Sequence, residues 1–160
     1  MKSILTEWAQ IARRSVAVAG VAFAILMMAS LRPACALDLP SDDDQDVLVR
    51  TTLMTFNDAN MTGNYSVFIA KASKQFQSQI APEKLASSLE SFRTNRLFFE
   101  SVVTEDYEST EKPTIDAEGG LNLGGVFKTD DMEVKYKLRF IQNDNVWKLL
   151  GFNVDAKKQQ

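Results

Sequence analysis

The stretch VKYKLRFIQNDNVWKLLGFNVD, Val134 to Asp155, limits what this chain can fold into more than any other. Two runs alternate apolar and polar with a period of two, which is the pattern of half-buried strands. They meet at a cluster of Asn and Asp, side chains that tolerate the positive φ of a two-residue hairpin turn. Centring that turn on Asn143-Asp144 sets Phe140 opposite Trp147, Leu138 opposite Leu149 and Tyr136 opposite Gly151, all on one face. The other face then carries Lys135, Lys137, Arg139 and Lys148, interleaved with Ile141, Leu150 and Phe152. Moving the turn by one residue changes the pairs and keeps the faces; a three-residue loop would break them.

A two-stranded ribbon with one apolar face is marginal alone and needs a cover. The upstream sequence supplies helices for it. A helix is predicted from Asp44 to Thr62, with Val49, Leu53, Phe56 and Asn60 in one stripe, Val47, Met54 and Met61 beside it, and Gly63 as its C-terminal stop. A second helical segment covers Tyr65 to Gln77. Pro82 opens a third, where Leu85, Ala86, Leu89 and Phe92 keep the spacing of a buried face. The acidic run LDLPSDDDQD, residues 37–46, lacks the glycine and distant glutamate of a calcium loop. It suits a helix start instead, with Asp42 or Asp43 as N-cap.

After Arg96 the punctuation changes to that of strands. Phe99 to Tyr107 reads as a strand or an extended connection. Pro113, Ile115 and Ala117 alternate before the turn Glu118-Gly119-Gly120, and Leu121 and Leu123 alternate before Gly124-Gly125. Thr129-Asp130-Asp131 makes another turn ahead of the hairpin. Helices first and strands after give an α+β fold: N-terminal helices packed on a curved, cone-like antiparallel sheet of about four strands, spanning residues 47–156.

The first 36 residues read as a signal peptide. Arg13 and Arg14 precede the uncharged run Ser15 to Leu31, and Pro33 leads into Ala34-Cys35-Ala36, a small-x-small cleavage site. The alternatives are an uncleaved anchor, for which the apolar run is short, a twin-arginine signal at Arg13-Arg14, and lipidation at Cys35. A periplasmic or secreted protein follows.

Cleavage after Ala36 removes four of the 18 basic residues and one of the 21 acidic ones, leaving 14 and 20 and a net charge of −6. That balance disfavours nucleic acid and anionic membranes as main partners; membrane contact is left to the leader, if it stays attached. The chain has no His, and its one Cys lies in the leader. Disulfides, thiolate nucleophiles, imidazole bases and the usual zinc sites are thereby excluded from the mature chain. No cofactor or metal is expected. Two glycosylation sequons, Asn60-Met61-Thr62 and Asn64-Tyr65-Ser66, are present.

The apolar hairpin face raises the alternatives of a modest pocket or a filled core. Phe56, Tyr136, Leu138, Phe140, Trp147 and Leu149 are the candidate lining, with Gly151 leaving room opposite Tyr136. The cationic face is either solvated and paired with acids such as Glu105, Asp106 and Glu108, or a docking surface formed by Lys135, Lys137, Arg139, Lys148, Leu150 and Phe152.

FNDANMTGNY, Phe56 to Tyr65, joins the first two helices, and NVWKLLGFNVD closes the chain. With helices preceding a curved meander, these segments resemble the nuclear-transport-factor-two-like (cystatin-like) superfamily, over about Val47 to Asp155, and especially its small exported bacterial members. The resemblance implies a cone with a pocket between sheet and helices, and dimerisation through the outer sheet face. Enzymatic members, such as ketosteroid isomerases and scytalone dehydratases, use Asp, Tyr or His inside the cone. Here that implies Asp58 with Tyr136, since His is absent. Three expectations result. The foremost is an exported non-catalytic module binding a small apolar ligand or a protein. The others are an isomerase- or dehydratase-type enzyme and a self-assembling envelope protein.

Overall fold

The computed structural model describes residues 37–159. The expected signal peptide, with its expected cleavage site and Cys35, lies outside the described residues. The described chain is α+β. Five helices come first: α1 (Asp42–Thr62), α2 (Ser66–Lys71), α3 (Lys74–Gln79), α4 (Pro82–Ser88) and α5 (Glu90–Thr94). A 3-10 turn (Glu100–Val103) leads into four strands, β1 (Tyr107–Ile115), β2 (Leu121–Lys128), β3 (Met132–Asn143) and β4 (Val146–Lys158). The strands form an open antiparallel sheet in the order β1-β2-β3-β4.

The cap of α1 differs from expectation. Ser41, not Asp42 or Asp43, holds the N-cap position and accepts from the Asp44 N–H at 3.2 Å. The three aspartates sit in the first turn, where the helix dipole favours negative charge. A serine has the short acceptor that a cap needs, and the chain bends one residue earlier than the acid run suggests. Gly63 ends α1 at φ 72°, as its position predicts. Val49, Leu53, Phe56 and Asn60 are buried, whereas Val47 and Met61 stay 60% and 51% exposed.

The segment expected as one helix from Tyr65 to Gln77 is two. Ala72 is extended, and Ser73 starts a new helix by accepting from the Phe76 N–H at 3.1 Å. The Ser73 N–H is free for this break because it donates to the Leu149 carbonyl of β4 at 2.8 Å. A tertiary hydrogen bond thus replaces a helical one. The ambiguous stretch Phe99 to Tyr107 is mostly the 3-10 turn, with the strand starting at Tyr107.

The hairpin turn is a two-residue turn, one position later than expected. Asp144 and Asn145 take φ 54° and 61°, and Asn143 pairs with Val146. That shift alone would keep the faces. A bulge undoes part of it: Phe140 pairs with Leu149, but Arg139 pairs with Gly151, so Leu150 has no partner. One extra residue advances everything after it to the opposite face. Phe152, Val154 and Ala156 therefore join Leu138, Tyr136 and Val134 on the helix side. Gly151 goes to the outer side, against the Arg139 Cβ. The predicted placement of Phe152 on the cationic face is overturned by that bulge.

Phe56 shows how the helices seat on the sheet. Its ring meets Phe68, Phe92, Phe99 and Phe152, with centroids 5.8, 5.3, 6.0 and 4.5 Å away. Such tilted and edge contacts suit aromatic quadrupoles. At the other end, Arg50 of α1 stacks over Tyr107 and Phe127 and donates to the carbonyls of Val102, Val103 and Glu105. It ties α1 to the chain between the 3-10 turn and β1.

Candidate functional site

The region under the hairpin where a pocket was expected is filled. Phe56, Tyr136 and Leu138 are 0%, 3% and 1% exposed and belong to the packed core. The glycine facing Tyr136 is Gly125, not Gly151. A Cβ at Gly125 would lie 2.5 Å from the Tyr136 hydroxyl oxygen and 3.0 Å from the Glu108 carbonyl. The space left by the missing side chain is occupied by the tyrosine itself. Burial, above all, pushes the Tyr136 hydroxyl well above its ordinary value, and the adjacent Tyr107 adds to this.

The isomerase-like pairing also fails on geometry. Asp58 is exposed on α1 and lines a surface depression with Thr62, Asn64, Val67 and Lys71, not with Tyr136. The buried polar residues among those described are Gln45, Asn57, Asn60, Ser73 and Thr129, with no carboxylate in the set. Asn57 Oδ1 accepts from the Phe99 N–H at 3.0 Å, and Asn60 Oδ1 accepts from the Tyr65 hydroxyl. Those two asparagines serve the packing. Of the two sequons, Asn60 is buried and Asn64 exposed.

Space exists beside the core instead. A groove of about 270 Å³ runs between the N-terminal half of α1, the α2–α3 junction and the tip of the β3–β4 hairpin. Phe140, Trp147 and Leu149 from the expected lining form its floor. They are joined by residues that strand alternation could not nominate. Val47 and Leu48 with Thr51, Thr52 and Thr55 come from α1, and Phe68, Lys71 and Ala72 from α2 and its end. The break at Ala72-Ser73 lies at the groove: Ala72 and Leu149 belong to its lining, and the Ser73 N–H donates to the Leu149 carbonyl. Val47, at the α1 side of the groove, is exposed.

The groove has a defined polarity. Its walls are mainly apolar, with three threonines along α1 and two lysines, Lys71 and Lys148, and no Asp or Glu among its lining residues. Lys71 Nζ donates to Thr55 Oγ1 at 3.2 Å, and Thr55 Oγ1 donates to the Thr51 carbonyl at 2.7 Å. Among the described residues neither lysine makes an ion pair. Lys148 pairs with Ile141 ahead of the bulge, on the outer side of the ladder as expected, and borders this groove at the hairpin tip.

The outer face carries Lys135, Lys137 and Arg139 as expected, and each is paired. Lys137 meets Glu111, Lys135 meets Glu133 at 2.8 Å, and Arg139 bridges Asp116 and Glu118 at 2.8 and 2.6 Å. Glu108 pairs with Lys128 at 2.8 Å; most partners are acids other than those expected. The Arg139 hydrogen bond, with N–H groups from Gly120 and Asn122, holds the Asp116 carboxyl well below the usual carboxylate range. With Phe152 turned inward, Ile141 and Leu150 are the apolar residues of the expected set that do not turn to the helix side with it, and both are half-buried. Among the described residues no group of three or more His, Cys, Asp and Glu is placed to hold a metal ion. No helix among them is long and apolar enough to cross a membrane.

No family model matches this chain, and no curated protein matches it.

Proposed function

We propose that this chain is an exported, non-catalytic binding module of the nuclear-transport-factor-two-like kind, which takes a small apolar or amphipathic ligand in the groove between α1, α2 and the β3–β4 hairpin. One observation carries this: a 270 Å³ groove with an aromatic and aliphatic floor stands open beside an interior that is otherwise filled. Ligand sites are typically concave and apolar with a few placed polar groups. The order of elements, helices and then a four-stranded antiparallel meander, supports the superfamily assignment. The leader pattern supports export. An exposed Asp58 that shares no site with the core-packed Tyr136 speaks against acid–base chemistry by that pair.

The test uses full-length protein with Trp8→Phe, which leaves Trp147 as the one tryptophan of the two in the chain. Decanol, titrated in, changes Trp147 emission saturably. At ten times Kd it stabilises the fold by about 1.4 kcal/mol, raising Tm by roughly 3–5 °C. Thr52→Phe, which fills the groove from α1, abolishes both effects. A flat titration, or one that Thr52→Phe leaves unchanged, would remove the groove as the binding site.

A further inference from the structure

We infer that the ligand of this groove is a single-chain carboxylate, a free fatty acid of medium length, with its head at Lys71 and Lys148 and its chain over Phe140, Trp147 and Leu149. This inference rests on the groove being the binding site, as proposed above. The charge of the lining is what singles out an anion. The described body is acidic, yet the groove contains two lysines and no carboxylate. On the outer sheet face each of Lys135, Lys137 and Arg139 is matched by an acid; at the groove the matching anions are absent from the lining. Lys71 is also positioned, since Thr55 Oγ1 accepts from its Nζ at 3.2 Å and leaves its other protons for a ligand.

The remaining surface asks for a hydrocarbon. Val47, Leu48, Phe68 and Ala72 face Phe140, Trp147 and Leu149 across the cleft. A groove of about 270 Å³ with one apolar strip suits a single hydrocarbon chain of medium length. A bilayer surface is the weaker match, because the surrounding body carries the opposite sign from a protein drawn to anionic headgroups.

The experiment compares decanoate, decanol and decylamine on the same full-length Trp8→Phe protein, read by Trp147 emission and by calorimetry. Decanoate binds about five- to tenfold more tightly than decanol, and decylamine more weakly than both. Each methylene removed from the acid weakens binding about threefold. Lys71→Gln with Lys148→Gln abolishes the preference for acid over alcohol, bringing the two affinities together; Lys71→Arg with Lys148→Arg retains the preference. Raising salt from low to near-molar concentration shrinks the preference. Equal binding of acid and alcohol, both blocked by Thr52→Phe, would overturn the carboxylate inference and keep the groove. Binding of neither would overturn both. Co-sedimentation with vesicles containing anionic lipid, without decanoate binding, would assign the lysines to a membrane and overturn the inference.

Discussion

Phe152 and Gly125 show how single positions settle the choice between a cavity and a filled interior. Phe152 lies with its ring centroid 4.5 Å from that of Phe56 and 5.2 Å from that of Phe68, so it closes the aromatic cluster from the sheet side. Gly125 admits the Tyr136 ring, which takes up the volume that a side chain there would have filled. Strict alternation placed Phe152 among the cations and Gly151 beneath Tyr136, and no residue type in the hairpin announces otherwise. Phe152→Ala should therefore cost about 3 kcal/mol, near the low end of the range for Phe truncation because the side chain is half-buried. Urea denaturation measures this. A loss below about 0.5 kcal/mol would return Phe152 to the surface.

The elements were legible wherever local physics decides them. The stripe of α1, its stop at Gly63 and the run of four antiparallel strands follow from spacing and turn chemistry, with the last hairpin turn one residue off. Two features did not, and both come from long-range contact. The break at Ala72-Ser73 needs the Leu149 carbonyl as acceptor, and the bulge at Leu150 needs the core to prefer Phe152 over Gly151. The groove is lined from three segments distant in sequence, which is why only Phe140, Trp147 and Leu149 of its lining could be named from the sequence. The other half of the candidate lining, Phe56, Tyr136 and Leu138, lies buried in the core where the helices seat. The bulge carries its own prediction. Deleting Leu150 removes the unpaired residue and leaves Leu149 and Gly151 on successive rungs, so Phe152, Val154 and Ala156 keep the helix side and the variant should keep its cooperative thermal transition. Deleting Gly151 as well turns those three residues outward, and that variant should lose the transition. A double deletion that melts like the parent would show that register after Leu149 is not fixed by the core.

For the molecule as a whole, the three tyrosines, Tyr65, Tyr107 and Tyr136, link folding to alkaline pH. All three hydroxyls are raised above their usual value, with burial the largest cause in each. An unfolded tyrosine ionises near pH 10. The folded state holds its protons longer, so the contribution of these groups is intact below that pH and declines as pH rises above it. Absorbance at 295 nm should therefore show tyrosinate appearing together with loss of near-ultraviolet circular dichroism, above pH 10. Smooth tyrosinate formation near pH 10 in a protein that stays folded would contradict the burial of the Tyr107–Tyr136 end of the core.

The account depends most on where a ligand sits. Chemical-shift mapping with decanoate on isotopically labelled full-length protein locates it directly. Perturbations should concentrate in three places distant in sequence: residues 47–55 of α1, 68–72 at the end of α2, and 147–149 of β4. Shifts centred on Lys135, Lys137 and Asn153 of the outer face, or none at saturating ligand, would contradict the groove as the functional site.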